Sequence, residues 1–277
     1  MQDKPQRRLV IDQNARILIV SDMHLPQEPT AQSMQRVKEL GRLFEAEAPS
    51  ITHVVLLGDI FEFWFEYGHM IPKGYHGLLW ELRKLSEAGK SVVFFPGNHD
   101  YWFDGFFPNE LGIRIADELE LWVVGNRTYA LTHGDGRDPH DRGYHLLKAV
   151  LRAKIAIVAF RLVHPELAFA VARIVSRFSR NAAKERSDRW SNSRFLSFAK
   201  SMFQQGVDVV IVGHSHRAQI INLQDGLLVN TGNWHRHTVY TAATSREISV
   251  RVWPSGNAIP VQPLEDIDNP PLSDKVK

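Results

Sequence analysis

The chain contains no cysteine, which excludes disulfides, thiolate metal sites and a cysteine nucleophile and is compatible with a reducing compartment. It also lacks any uncharged apolar run approaching the length of a bilayer span, and its opening stretch, MQDKPQRRLVIDQ, has no apolar signal-peptide core. A cytoplasmic, non-spanning protein is therefore expected. Internal repeats and low-complexity tracts are absent too. What remains is ordinary globular material: 277 residues, 44% hydrophobic and 23% charged, enough for one large α/β domain or two smaller ones with a substantial core.

The formal net charge of +2 hides an uneven distribution, because residues 141–200 hold 13 Lys or Arg against 4 Asp or Glu. A basic island thus sits inside an otherwise acidic chain. Short runs rich in β-branched residues at 16–20, 53–57, 91–95, 121–124, 129–132 and 207–212 read as strands. Paired runs follow around 218–223, 226–230, 238–243 and 247–253, with turn signals such as Gln224-Asp225-Gly226 between them. Helices are expected over 31–46 and 75–88. Early βα alternation followed by hairpins predicts an α/β fold, a two-sheet β sandwich flanked by helices. Residues 1–140 and 201–253 would form its core, 141–200 a helical insertion, and 254–277, rich in Pro, Asp and Asn, a loose tail.

Five strands end alike. Asp22 and His24 follow the first, Gly58-Asp59 the second, Gly97-Asn98-His99-Asp100 the third, His133-Gly134-Asp135 the next, and Gly213-His214-Ser215-His216 the last. One Asp-x-His at a strand end is usually a turn or a cap. Five such endings in one chain are not, since each adds metal-competent side chains beside small residues that let the backbone turn close to an ion.

In this order the endings SDMH, LLGD, PGNHD, THGD and VGHSH resemble the signature of the calcineurin-like metallophosphoesterases. The resemblance implies a dinuclear metal centre at one sheet edge. Asp22, His24, Asp59 and His216 would form one site; Asp59, Asn98, His133 and His214 would form the other. Asp59 would bridge two divalent cations, and a thiolate-free set of carboxylate, amide and imidazole donors suits Mn, with Fe or Zn as alternatives. His99, not needed as a ligand, is the candidate to donate to a phosphate oxygen or protonate the leaving group. Asp100 or Asp135 could orient a histidine from behind. His53, His69, His76, His140, His145, His164, His235 and His237 match no part of the signature and are read as surface or packing residues.

The basic island falls between THGD and VGHSH. Its sequence spaces Leu, Ile, Val and Phe among Arg and Lys at three- to four-residue intervals, broken near His164-Pro165, as amphipathic helices would. A scaffold insertion or a nucleic-acid-binding face would also fit this pattern, nucleic acid being the less favoured partner. The favoured reading is a lid, apolar inside to hold acyl chains and basic enough to rest on anionic lipid headgroups at the inner membrane. The layout resembles the UDP-2,3-diacylglucosamine pyrophosphatases of lipid A synthesis, through GDIFEFW at 58–64, HGDG…DRGY ending at Tyr144, and GNW at 232–234. That resemblance implies hydrolysis of a nucleotide-linked diacylated sugar to UMP and a diacylglucosamine 1-phosphate. Tyr144, Arg177, Arg180 and Lys184 would hold the nucleotide and phosphates, with Ile157 and Phe160 facing the acyl chains. Many members of this branch carry Arg where this chain has His99. A guanidinium grips phosphate bidentately and an imidazole does not, so another phosphodiesterase or phosphatase activity, on nucleotides or a different phospholipid, is the alternative.

Overall fold

A computed structural model of the chain describes residues 6–138, 142–171, 173 and 192–272. Fourteen strands among them form two mixed seven-stranded sheets. From edge to edge the first is β13 (Asn257–Ala258), β12 (Ile248–Val252), β11 (Val239–Ala243), β2 (Ile17–Val20), β3 (His53–Leu56), β4 (Ser91–Phe94) and β5 (Arg114–Ile115). The second is β1 (Arg7–Ile11), β6 (Glu120–Val124), β7 (Arg127–Leu131), β8 (Val209–Val212), β10 (Gly226–Asn230), β9 (Gln219–Leu223) and β14 (Val261–Gln262).

The apolar runs are continuous because both faces of each central strand are covered. Ile17, Ile19, Val55, Leu57, Val93 and Phe95 point between the sheets, against Trp122, Tyr129, Val209 and Ile211. Their neighbours Leu18, Val20, Val54, Leu56, Val92 and Phe94 point the other way. There they pack beneath helices α1 (Ala31–Glu47), α2 (His76–Glu87) and α3 (Phe106–Leu111). A capping box opens α1: the Thr30 hydroxyl accepts the Ser33 N–H at 3.1 Å, and the Ser33 hydroxyl accepts the Thr30 N–H at 2.8 Å. Its inward face repeats as Val37, Leu40 and Phe44. On the far side, helix Leu196–Phe203 lays Ala199, Met202 and Phe203 over Ala130, Val210 and Leu228. Pairing is parallel for β2–β3–β4 and for β7–β8–β10, so the carboxyl ends within each set lie side by side.

Two features depart from expectation. Strand β1 was not foreseen; its RRLVI sequence sits at a sheet edge with mostly exposed side chains, so burial imposes no pattern on it. The supposedly loose tail instead adds a strand to each sheet, β13 on β12 and β14 on β9, and buries Ile259 and Ile267. Isolated apolar residues among Pro, Asp and Asn were enough to anchor it. Between β7 and β8 the chain forms α4 (Arg142–Leu151), α5 (Lys154–Arg161) and a third helical stretch at 165–171. The expected contacts Arg177, Arg180 and Lys184 lie outside the described residues.

Candidate metal centre

The strand-end loops are held in an unusual backbone state. Asp22, His24, Asp59, His214 and His216 all adopt left-handed φ values, between 46° and 64°. For a residue with a Cβ this costs about 1–3 kcal/mol and persists only where the surroundings over-determine it. Here they do. The Asp22 N–H donates to Gly58 O at 3.1 Å and the His24 N–H to Asp59 O at 3.0 Å, binding the first loop to the second. The buried Asp100 carboxylate then gathers four backbone N–H groups, from Asp59 (2.9 Å), Gly97 (3.1 Å), Ile60 (2.6 Å) and Phe61 (3.1 Å). Gly97 is required by proximity, since a Cβ there would lie 2.1 Å from Asp59 Oδ1.

The expected ligands converge from these loops. Donor atoms of Asp22, His24 and His216 form one group, those of Asp59, His133 and His214 a second, and those of His24, Asp59 and His99 a third, each with its atoms within 4.8 Å of one another. His216 Nε2 lies 3.2 Å from Asp22 Oδ1, and His24 Nε2 lies 3.8 Å from both Asp22 Oδ1 and Asp59 Oδ2. His133 Nε2 is 3.3 Å from the same Asp59 oxygen, so Asp59 Oδ2 faces both groups. The other Asp59 oxygen accepts the N–H groups of Asn98 (2.9 Å) and His99 (3.0 Å). Asp22 Oδ1, Asn98 Oδ1 and His133 Nε2 are buried without a hydrogen-bond partner. The two oxygens are acceptors, and leaving them unpaired in the interior is costly unless something electropositive sits among them; mixed oxygen and nitrogen donors suit a divalent transition metal.

Electrostatics fit the same reading. Burial opposes ionisation of Asp22, but the charge of His216 and the nearness of the His216 and His24 rings outweigh it and keep the carboxyl below its ordinary value. Burial, reinforced by the charge of His133, pushes His214 down to about 3, so its ring is neutral and able to ligate. Burial pushes His133 down as well, yet the charge of Asp59 overrides it and holds His133 well above its ordinary value, the proton standing where a cation would serve. Backbone carbonyls set the ring orientations: Leu57 O takes the His133 Nδ1–H at 2.8 Å, and Glu62 O the His99 Nδ1–H at 3.0 Å. Asp100 therefore organises the main chain around Asp59; the idea that it orients a histidine is not what its contacts show.

Asp135 ties the insertion to the centre. Its carboxylate accepts the Tyr144 hydroxyl at 2.9 Å and pairs with Lys148 at 2.8 Å and Arg152 at 3.4 Å. Arg152 also donates to Gly97 O at 3.1 Å, pairs with Glu118 and lies over the Tyr101 ring at 4.2 Å. Tyr144 is thus engaged with Asp135. Phe160 stacks on Trp102 and packs against Phe65 and Phe63, which also meets Phe169. Besides these rings, Ala168 is buried and Ile157 half-buried. Leu146, Leu147, Val150, Leu151, Ile155, Val158, Leu162, Leu167 and Val171 are all exposed, Ile155 and Leu162 by more than four-fifths.

Sequence reasoning also missed supporting residues. Ser21 donates to Asp22 Oδ2 at 2.5 Å and meets the Thr231 hydroxyl at 2.6 Å. Behind the last loop, Asn192, Ser215 and Asn230 form a buried hydrogen-bonded group. Arg36 and His235, 199 residues apart, meet at 2.5 Å. Only adjacency to a motif could have flagged Ser21, and nothing in the sequence links the others.

Two stacked mixed sheets with carboxylate and imidazole groups converging at their strand ends are the arrangement of metal-dependent phosphoester hydrolases, and this chain is one. It belongs to the calcineurin-like phosphoesterase family, whose model matches residues 15–218. Among curated proteins it is similar to a UDP-2,3-diacylglucosamine hydrolase of Porphyromonas gingivalis, 27% identical over 92% of this chain and 99% of that protein. It is likewise similar to one of Pseudomonas putida, 27% identical over 79% and 91%. Among solved structures it aligns with YfcE, a phosphoesterase from E. coli, at TM-score 0.44 and 14% identity over 88% of this chain and 97% of that one.

Proposed function

We propose that the protein hydrolyses the pyrophosphate of UDP-2,3-diacylglucosamine at a two-metal centre, releasing UMP and 2,3-diacylglucosamine 1-phosphate. Asp22, His24 and His216 would hold one ion and Asn98, His133 and His214 the other, with Asp59 shared, since its Oδ2 faces both groups. Two such ions, manganese being the best match to these donors, would supply Lewis acidity to the phosphate and lower the pKa of a water for attack on phosphorus. His99 works from the protein side. With Nδ1 committed to Glu62 O, the proton it exchanges is on Nε2, where it can pass to the departing phosphate oxygen.

The observation that carries the substrate is the insertion. Helix α4 is tied to Asp135 through Tyr144 and Lys148, and Arg152 just after it reaches both Asp135 and Gly97 O, yet the segment it opens displays nine exposed apolar side chains. A soluble nucleotide gives no reason for such a surface beside a phosphoesterase centre, whereas a diacylated sugar taken from a membrane does. No helix among the described residues is long and apolar enough to cross a membrane. Contact with an anionic inner-membrane surface from the cytoplasmic side would therefore be peripheral, through this face and its Arg and Lys residues. The relatives' name for their activity supports the same substrate.

The test is turnover with Mn and detergent, comparing UDP-2,3-diacylglucosamine with a small chromogenic phosphodiester. UMP release should dominate. A clear preference for the small diester would instead favour the alternative activity that His99 in place of Arg leaves open.

A further inference from the structure

We infer that Arg36 is a positioning residue for the His24 and His216 half of the centre, acting with His235. This rests on the two-ion reading above. Arg36 projects from α1, is 8% exposed, and makes no ion pair among the described residues. Its Nη1 donates to Met23 O at 3.0 Å and to His235 Nδ1 at 2.5 Å, and its buried Nε has no partner. A buried guanidinium with no close ion pair, supported only by the more distant charge of Glu62, is expensive to keep, and ordinary helix packing asks for an apolar residue at that position.

The carbonyl it holds explains the cost. Met23 lies between Asp22 and His24, both left-handed, and its carbonyl is directed towards Arg36 on α1. Without Arg36 that acceptor would be buried and unpaired, and the loop would relax from the geometry that brings His24 Nε2 to 3.0 Å from His216 Nε2. His216 is fixed from the same side. Asn233 Nδ2 donates to His216 O at 2.9 Å, and the next residue, Trp234, donates its backbone N–H to Ser21 O (3.2 Å) and its indole N–H to Arg36 O (3.2 Å). His235 completes this link, so the loop that carries His24 and the loop that backs His216 meet on one arginine. Because a guanidinium always donates, His235 accepts at Nδ1 and carries its own proton at Nε2.

Charge and geometry make opposite predictions here. A cation behind the loop disfavours metal, so if its charge mattered more than its hydrogen bonds, Arg36→Met would tighten binding. If positioning dominates, one ion should be lost preferentially. Mn titration by calorimetry of the wild type should show two ions. In R36M one should bind as before and the other about 10- to 100-fold more weakly, the usual loss when a group supporting a ligand is removed. In a His24→Ala background, where that half is already disabled, R36M should change nothing further. His235→Phe, on a half-buried loop, should weaken the same ion by less, and it carries the test if R36M does not fold. Two ions bound at unchanged affinity, tighter binding, or equal weakening of both would overturn the inference. A wild type that binds one ion only would overturn the two-ion reading itself.

Discussion

Replacing Asp100 with Asn should destabilise the Mn-loaded protein by about 2–4 kcal/mol, although Asn is nearly the same size. The buried carboxylate accepts two backbone N–H groups on each oxygen: Asp59 and Gly97 on Oδ1, Ile60 and Phe61 on Oδ2. An amide keeps one such oxygen and turns an NH2 group towards the other pair. Two hydrogen bonds to a charged acceptor, roughly 1.5–3 kcal/mol each, are lost and two buried donors go unpaired. Against this, burial and the neighbouring charge of Asp59 raise the Asp100 carboxyl well above its ordinary value, so part of the loss is offset by removing a disfavoured charge. Ions on Asp59 would neutralise that neighbour, and the penalty should be larger with Mn than without. Urea unfolding of both proteins, with and without Mn, reads the difference as a lower midpoint at unchanged slope. If D100N matched or exceeded the wild type with Mn bound, the four N–H groups would not need a charged acceptor and this account of the Asp59 loop would be wrong.

Other substitutions probe separate parts of the account. Gly97→Ala should abolish activity and metal retention together, because its Cβ would sit 2.1 Å from Asp59 Oδ1; normal metal stoichiometry would contradict this. His99→Ala should lower kcat on the order of 10²- to 10⁴-fold with both ions retained, whereas loss of an ion would place His99 among the ligands, as its proximity to His24 and Asp59 allows. Aspartate at Ile155, Val158 and Leu162, all exposed, should weaken kcat/KM for the diacyl substrate and spare a small phosphodiester, since each engaged side chain contributes roughly 1.5–3 kcal/mol. Equal effects on both would make the insertion scaffold. Burial raises the Glu120 carboxyl, but hydrogen bonds from Arg114, at 2.5 and 2.8 Å, and from Trp122 hold it below 4.5 overall. It therefore contributes stability above pH 4.5 that is lost as pH falls through the folded value, and Glu120→Gln should flatten that acid slope in thermal unfolding.

The side chains that converge at the candidate centre were legible in the sequence because motif residues sit directly at strand ends, where β2, β3, β4, β7 and β8 finish. Their supports were not. Asp100 reads as part of a motif, yet its contacts are main-chain groups, which leave no trace in side-chain identity. Arg36 reads as one polar residue on an amphipathic helix, and only the tertiary fold brings it to Met23 and His235. The insertion's helices follow from their apolar spacing, but spacing cannot say which side meets the protein: Phe160, Phe169 and Ala168 turn inward while nine larger aliphatic residues remain exposed. The tail shows the same limit, since β13 and β14 are two residues each and are defined by the strands they meet.

Anomalous diffraction from crystals grown with Mn reads out whether one carboxylate serves two ions. Two peaks are expected roughly 3.5–4 Å apart, both within ligand distance of Asp59, with both lost in Asp59→Ala. A single peak, or two that do not share Asp59, would contradict the two-ion reading.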